Sequence, residues 1–215
     1  MVTMRGFSSA PRMTDPRPYH HGSLRDALLQ ATREVVESRG HDAISMRDLA
    51  QGLGVTAAAL YRHFANRAEL MLAVANEGFA ELDRLAQAEI VRHDKPWQAL
   101  DALLRSYLDF TEQHTRLFLM MYDDEVINAP QAEALLPGLG QTYTTVSTLL
   151  ARALPKADDK QVRLRMIGLW STLFGYASVR AHGILKSYML QSLTREEIED
   201  EVRAAALGRR LKPAS

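Results

Sequence analysis

The sequence predicts an all-α protein with a small helical domain at its N-terminus and a larger helical domain after it. Apolar residues recur at spacings of three and four along most of the chain, which is the period of a helix. Ser, Thr, Asp and Asn stand repeatedly at positions that cap helix N-termini. No run of residues alternates in the way that predicts a strand, and no internal repeat is present.

The segment from Ser45 to Leu70, SMRDLAQGLGVTAAALYRHFANRAEL, predicts two short helices and the start of a third. Ser45 and Thr56 are placed to accept hydrogen bonds as N-caps of the two short helices. Gly52 and Gly54 give the backbone the freedom to reverse sharply between them. Two short helices joined in this way form a helix-turn-helix, whose second helix enters the major groove of DNA.

The second helix, predicted over residues 57–64, turns small side chains outward, where they can approach base edges. Donors suited to phosphate oxygens stand further along it. The predicted DNA-binding residues are Arg47, Thr56, Ala57, Ala58, Ala59, Tyr61, Arg62, His63 and Arg67. A helical hairpin with an Ala-rich exposed face is the simpler alternative, but a solvated face is normally richer in Lys and Glu.

This part of the sequence resembles the DNA-binding domain of TetR-type (TetR/AcrR) transcription regulators. The resemblance runs from YHHGSLRDALLQATREVVESRG through ISMRDLAQGLGVTAAALYRHFANRAEL, roughly the first third of the chain. It implies an all-α homodimer whose DNA binding is controlled by a small-molecule effector. A second stretch, LWSTLFGYAS, resembles the Trp-to-His-Gly signature of one C-terminal subgroup, with Phe174 where the His would be.

Charge is distributed unevenly, although the formal net charge is zero. Residues 1–67 hold nine arginines, no lysine and six acidic residues, which gives +3 and suits a small DNA-reading module. The remaining residues carry −3. The sequence has no cysteine, no apolar secretory signal and no uncharged run long enough to span a bilayer. These features predict a soluble, cytoplasmic protein.

The chain divides into three predicted regions. Residues 1–18 lack periodicity and predict a flexible arm, whose arginines at positions 5, 12 and 17 are placed to reach a minor groove or phosphates. A tail with no role is an equal alternative, and a start at Met13 would shorten it. Residues 19–66 are the predicted DNA-binding domain, and residues 67–215 are the predicted ligand-sensing and dimerisation domain.

Caps and breaks define the other predicted helices. Ser23 is placed as the N-cap of a first helix that ends before Gly40. Its predicted inward stripe is Leu24, Leu28, Ala31 and Val35. The later helices are predicted over residues 66–91, 96–113, 116–122, 131–154 with a break near 137, 158–186 and 194–208. The acidic residues 123–125 are predicted to form a solvated loop.

The predicted helix that begins after Asp158 is apolar on nearly all sides, which predicts burial of both its faces. One face carries small side chains at helical spacing. We predict that it contacts a second copy of the chain, in a four-helix bundle completed by the last helix of each protomer. A wholly internal core helix is the alternative. The predicted interface consists of Gly168, Ser171, Gly175, Ser178 and His182.

Catalytic motifs are not found in the sequence. GLGQT at residues 138–142 lacks the lysine and the preceding strand of a phosphate-binding loop, and no serine elbow or zinc motif occurs. His114 with the acidic residues 123–125 makes only a weak metal pattern. The chain is therefore predicted not to be an enzyme and to need neither cofactor nor metal.

Aromatic and methionine side chains of the larger domain are predicted to line an apolar ligand cavity, although each such residue is more often plain core. His114 and Tyr143 are the candidates for its polar group. The predicted lining is Tyr107, Phe110, His114, Phe118, Met121, Tyr143, Trp170 and Phe174.

Together these features predict a transcriptional repressor that binds a palindromic operator in double-stranded DNA as a homodimer and is released by a small-molecule effector. An activator with the same DNA module is one alternative. A helical small-molecule-binding protein with a degenerate DNA motif is another. The sequence identifies neither the effector nor the operator.

Overall fold

The computed structural model describes residues 21–135 and 137–208, and within these ranges the chain is helical without a strand. A single 3-10 turn spans His41–Ala43. The α-helices, numbered in chain order, are α1 His21–Arg39, α2 Met46–Gly52, α3 Ala57–Tyr61, α4 Arg67–Arg92, α5 Pro96–Gln113, α6 Thr115–Met121, α7 Asp124–Ile127, α8 Ala132–Leu135, α9 Pro137–Ala153, α10 Asp159–Ala181 and α11 Arg195–Ala206.

Two expectations concern the membrane and the N-terminal arm. Over residues 21–135 and 137–208, no helix combines the length and the hydropathy that crossing a bilayer requires. The predicted arm, with Arg5, Arg12, Met13 and Arg17, lies outside the described residues.

Predicted helix starts are confirmed where a polar side chain caps them. The Asn66 side chain accepts a hydrogen bond from the Glu69 amide at 2.9 Å and opens α4. Pro96 occupies the first turn of α5, where its missing N–H has no cost. Reciprocal capping boxes begin at Asp158 for α10 and at Thr194 for α11. Local sequence therefore decides where most of the long helices begin.

Three predicted helix boundaries are wrong. Ser23 lies inside α1 rather than at its cap, because serine is only mildly unfavourable in a helix. Helix α3 ends at Tyr61 and not at Phe64. Beyond Tyr61 the Leu60 carbonyl accepts from the amides of both His63 and Phe64, a mixture of three- and four-residue spacing that is typical of a helix C-terminus. Helix α10 ends at residue 181 and not near 186, because Gly183 takes a φ of +62°.

Helix α1 packs inward along positions four residues apart. Leu28 is fully buried as predicted, but Ala31 and Val35 are only half-buried, and Thr32 and Val36 take the innermost positions instead. The Thr32 hydroxyl donates to the Leu28 carbonyl at 2.7 Å, so its burial leaves no polar group unpaired. Gly40 ends the helix as predicted, with a φ of +88°.

Helix α4 joins the two hydrophobic clusters of the molecule. Buried residues of its first part, including Leu70, share a cluster with Leu28 of α1, Leu60 of α3 and Met120 of α6. Its later residue Ala86 belongs to a second cluster with α5, α9, α10 and the end of α11. The first cluster crosses the predicted domain boundary at 66/67, so the helix-turn-helix is packed directly on the larger domain.

Helix α9 packs on α4 at short range because a glycine begins the contact. A Cβ added to Gly138 would lie 3.0 Å from the Ala80 backbone nitrogen and 3.0 Å from the Asn76 carbonyl oxygen. The Gly138 amide donates to the Asn76 side chain at 2.9 Å, and the Thr142 hydroxyl donates to the Phe79 carbonyl at 3.1 Å. These contacts fix α9 beside the middle of α4.

Candidate nucleic-acid interface and ligand cavity

The second helix of the helix-turn-helix, α3, is held by a cap and two inward anchors. The Thr56 hydroxyl accepts a hydrogen bond from the Ala59 amide at 3.3 Å, as predicted for an N-cap. Leu60 and Phe64 point inward with 0% and 2% of their surface exposed. The Val55 amide donates to the Ala50 carbonyl at 3.0 Å, which closes the turn between α2 and α3. A short helix is therefore fixed against a packed base.

The outer face of α3 is small at its start and polar towards its end. Ala57 and Ala58 are exposed, as is Arg62, and Tyr61 leaves 52% of its surface exposed. Arg47, on α2, is exposed as well. This arrangement gives a thin ridge that fits the major groove, with donors at its flanks for phosphate oxygens.

One predicted base contact is wrong. Ala59 is buried, with 8% of its surface exposed, because it lies beside Leu60 on the face of α3 that packs inward. His63 is half-buried, whereas Thr56 is exposed but has its hydroxyl engaged in the cap. Of the three alanines, only Ala57 and Ala58 are therefore exposed on the outer face of α3.

Arg67 is engaged within the protein. Its guanidinium forms an ion pair with the carboxylate of Glu125 and donates to the His41 carbonyl at 2.8 Å. The predicted phosphate contact therefore requires that Arg67 first leave Glu125. The sequence prediction missed this pairing because the two residues lie 58 positions apart in the chain.

The acidic stretch at residues 123–125 is exposed to solvent at Asp124 and Glu125, as predicted, but it starts a short helix instead of a loop and contacts the DNA-binding helices. The Asp123 side chain accepts a hydrogen bond from the Glu125 amide at 2.9 Å and starts α7. The other carboxylate oxygen of Asp123 lies 3.3 Å from Nε2 of His41. Together with the Arg67–Glu125 pair, this contact ties α7 to both ends of the helix-turn-helix. We call Tyr122 to Glu125 the junction segment.

A second polar contact joins α6 to α1. Nδ1 of His114 lies 2.9 Å from a carboxylate oxygen of Glu37, and the Arg116 guanidinium donates to the backbone carbonyls of Glu37 and Ser38. Arg33 on α1 pairs with Glu81 on α4 at 2.9 Å. His114 therefore serves the contact between α1 and α6, and the prediction that it supplies a polar group to a ligand cavity is wrong.

An apolar cavity lies among α4, α5, α9 and α10. It holds about 60 Å³ of free space. Its walls consist of Phe79, Leu82, Leu85, Ala86, Leu103, Tyr107, Tyr122, Leu139, Thr142, Tyr143, Val146, Met166, Leu169, Trp170 and Leu173. The free space is below that of typical ligand pockets, so a larger ligand must displace lining side chains.

Three of the eight predicted lining residues are in these walls: Tyr107, Tyr143 and Trp170. The other predicted lining residues, Phe110, His114, Phe118, Met121 and Phe174, are not. Phe110, Phe118 and Met121 are buried core, and Phe174 packs on Tyr122 from outside the cavity with ring centroids 4.8 Å apart. Most of the lining that the prediction missed is aliphatic. Leu82, Leu85 and Ala86, for example, recur at helical spacing and look the same as ordinary core.

The hydroxyls in the cavity differ in their surroundings. The Thr142 hydroxyl donates to backbone carbonyls, whereas the Tyr107 hydroxyl is buried and has no hydrogen-bond partner within residues 21–135 and 137–208. Burial raises the pKa of Tyr107 well above its ordinary value, with a further contribution from Tyr122 that outweighs the opposing charge of Arg180. Burial also raises the pKa of Tyr122. Both phenols are therefore neutral at physiological pH.

The outer face of α10 is open in the single chain. Leu164 and Ile167 expose 60% and 62% of their surface. A Cβ added to Gly168 or Gly175 would meet no atom within 4 Å. Ser171 is exposed on the same face. The opposite face is fully packed, since all five buried residues of α10 point into the protein: Val162, Met166, Leu169, Leu173 and Ala177.

Metal chemistry finds no support in this geometry. Among the residues that the structure describes, no three His, Asp or Glu side chains come together as a metal site. The fold and the exposed α3 define the molecule as a helix-turn-helix protein with an apolar cavity in its second domain.

Comparison with known families identifies the class. A model described as "Bacterial regulatory proteins, tetR family" matches residues 28–74, and one described as "Tetracyclin repressor-like, C-terminal domain" matches residues 100–204. Together the two models match more than half of the chain. The chain belongs to the TetR family of DNA-binding transcription regulators, which are not enzymes.

Individual relatives extend the match. The transcriptional activator FasR of Mycolicibacterium smegmatis is 29% identical over 110 residues, 51% of this chain and 50% of FasR, so the match spans only half of that relative. The transcriptional repressor KstR of Mycobacterium tuberculosis is 24% identical over 186 residues, 82% of this chain and 81% of KstR. A solved structure of a Rhodococcus sp. RHA1 protein has a TM-score of 0.71 and 28% identity, and the alignment covers 90% of this chain and 96% of that one.

Proposed function

We propose that the protein is a transcriptional repressor that acts in the cytoplasm, binds a palindromic duplex operator as a homodimer and is released by a small-molecule effector. The observation that carries this proposal is the capped helix α3, whose exposed Ala57 and Ala58 form a smooth ridge between donors. Small side chains allow close approach to base edges and to thymine methyl groups.

Each exposed donor around α3 has a proposed role. Tyr61 and Arg62 lie past the alanines and are suited to phosphate oxygens. Arg47, on the preceding helix, is suited to a phosphate or to a guanine at the edge of the site. Thr56 stabilises α3 as its N-cap, and half-buried His63 lies at the edge of the proposed DNA interface.

We propose that the open face of α10 contacts a second copy of the chain. Its large apolar side chains, Leu164 and Ile167, are unusual for a surface exposed to water. Gly168, Ser171 and Gly175 permit a partner helix to come close, while Ser178 and His182 continue this face towards the end of α10. Dimerisation is also typical of the family.

The junction segment is the proposed connection between effector and DNA. Tyr122 lies in the cavity wall. Two positions further the chain enters α7, and at the third position Glu125 holds Arg67. A ligand that displaces Tyr122 therefore acts on α7 and on the two contacts, through Asp123 and Glu125, that hold the helix-turn-helix. A ligand that prefers the displaced arrangement shifts the population of dimers away from the spacing that the operator requires.

The direction of regulation has two candidates. Repression is favoured because a dimer on a promoter occludes it, and the repressor KstR matches over most of its length. Activation is the second candidate because the activator FasR is similar over 110 residues, about half of this chain.

Binding-site selection with the full-length protein tests the proposal. Selected duplexes should contain an inverted repeat, and a gel shift on them should weaken linearly as the logarithm of salt concentration rises. A scrambled duplex should compete about 1,000-fold less well. Equal competition by the scrambled duplex would instead support a helical small-molecule-binding protein with a degenerate DNA motif.

A further inference from the structure

The Tyr107 hydroxyl is a buried polar group in an otherwise apolar cavity. It has no solvent contact and no hydrogen-bond partner among the residues that the structure describes. Buried polar groups in folded proteins are nearly always paired, so an unpaired hydroxyl in a cavity wall is well suited to pair with a ligand.

The cavity has no charge to offer to a ligand. None of its fifteen lining residues is ionic at neutral pH. The cation that acts on Tyr107 is Arg180, whose guanidinium already donates to the Glu199 carboxylate, the Leu108 carbonyl and the Thr111 hydroxyl at 2.9–3.0 Å. Burial of a carboxylate or an ammonium without a partner of opposite charge is very costly. A ligand seated here is therefore uncharged.

Two other hydroxyls of the lining, on Thr142 and Tyr143, are poor competitors for the ligand. Thr142 donates to the carbonyls of Phe79 and Gly138. Tyr143 stands at the open mouth with 37% of its surface exposed, where water can satisfy its hydroxyl. Among the lining residues that the structure describes, Tyr107 is the one whose polar atom is buried without a partner, so its pairing changes most when a ligand replaces empty space.

We propose that the effector is an uncharged, mainly apolar molecule with one hydrogen-bonding oxygen, such as a ketone, ester or alcohol, and that the Tyr107 hydroxyl binds this oxygen. The inference rests on the proposed function, since it describes the ligand of the proposed effector site. The free volume of about 60 Å³ limits the part seated beside Tyr107 to a short chain, or to a single ring that displaces lining side chains.

Matched probes of one ring test the inference by calorimetry on the full-length protein. Acetophenone has the oxygen, ethylbenzene is its apolar counterpart, and benzoate is its anion. The wild type should bind acetophenone about tenfold more tightly than ethylbenzene, as one added hydrogen bond to a buried group allows. It should bind benzoate more weakly than either.

Two tyrosine variants locate the effect. Tyr107→Phe should abolish the preference for acetophenone, whereas Tyr143→Phe at the mouth should keep it. Tyr107→Phe should also leave the melting temperature of the unliganded protein unchanged or raised, because it removes a hydroxyl that has no partner. A lowered melting temperature would mean that the hydroxyl has a structural partner, and would overturn the inference.

The probe results also separate this inference from the proposed function. Equal affinity of the wild type for acetophenone and ethylbenzene, or no binding of either, overturns the inference even if operator binding is normal. A preference that Tyr107→Phe abolishes, in a protein that binds no operator, supports the ligand site and contradicts the proposed function.

Discussion

Helices α3 and α10 each have an outer face that carries small residues, but the side chains around these residues differ. On α3 the small residues are Ala57 and Ala58, and the side chains around them are donors such as Arg62. On α10 the small residues include Gly168 and Gly175, and their neighbours are exposed aliphatic side chains. Both faces allow another macromolecule to approach closely.

On both faces the small residues determine how closely another macromolecule can approach the helix, and the side chains around them determine which kind of macromolecule binds. Donors beside α3 suit phosphates, which lie on both sides of a DNA groove. Leu164 and Ile167 beside the α10 glycines gain from leaving water and suit the surface of a protein. The proposal therefore assigns DNA to the first face and a second copy of the chain to the other.

The largest expected effect comes from Gly175→Leu. The protomer has no atom within 4 Å of the new Cβ, so the fold should be kept while the α10 faces of a dimer are pushed apart. Operator affinity should fall about 1,000-fold, towards the level of nonspecific binding. Sedimentation should show a monomer with an unchanged melting temperature. A stable dimer with normal operator affinity would remove this face from the interface.

Ala58→Leu should have the next largest effect, on DNA binding alone. The added side chain would meet the groove floor, and operator affinity should fall about 100-fold, comparable with two mismatched base pairs. Ala88→Leu, the same change at an exposed position of α4, is the control and should bind normally. If Ala58→Leu also binds normally, the outer face of α3 is not in the groove.

Gly138→Ala should destabilise the fold, because here the close approach is internal. The new Cβ would press on the backbone of α4 at 3.0 Å, which should lower the free energy of unfolding by about 1–3 kcal/mol. Gly140→Ala, where nothing lies within 4 Å, should raise it by up to about 1 kcal/mol. Denaturant melts of the two variants check this pair, and equal melting would show that α9 can shift away from α4.

Glu125→Gln should have the smallest effect and the opposite sign. It frees Arg67 from an ion pair that is partly exposed and therefore weak, so affinity for any duplex should rise about threefold. The salt dependence should steepen by about one phosphate contact per protomer. Asp124→Asn removes the same charge from the preceding residue and should change neither the affinity for duplex DNA nor its salt dependence. If both variants bind duplex DNA more tightly by the same factor, the cause is the loss of one negative charge and not the release of Arg67.

Sequence reasoning succeeded where the deciding interaction is local. The caps at Thr56 and Asn66 act three residues along the chain, and both were predicted and confirmed. The bounds of α5, Pro96–Gln113, were also predicted correctly from its proline and its apolar spacing. Local signals therefore give the starts of most of the long helices and the cap of α3.

Predictions from the sequence failed where two residues in contact lie far apart in the chain, and where neighbouring positions carry residues of the same kind. His114 meets Glu37, which is 77 positions away, so no local signal marks that pair. Among three consecutive alanines, hydrophobicity cannot show which one is buried, and Ala59 was placed on the wrong face. The cavity lining was missed because a stripe such as Met166 and Leu169 has the spacing of any core helix.

The central claim is that two copies of α3, related by the symmetry of a dimer, read two half-sites together. The affinity of the wild type should be measured for a selected operator and for the same operator with five base pairs inserted between the half-sites. The insertion turns one half-site by about half a helical turn while both sequences stay intact. The account predicts a loss of at least about 100-fold. Unchanged affinity for the lengthened duplex would contradict it.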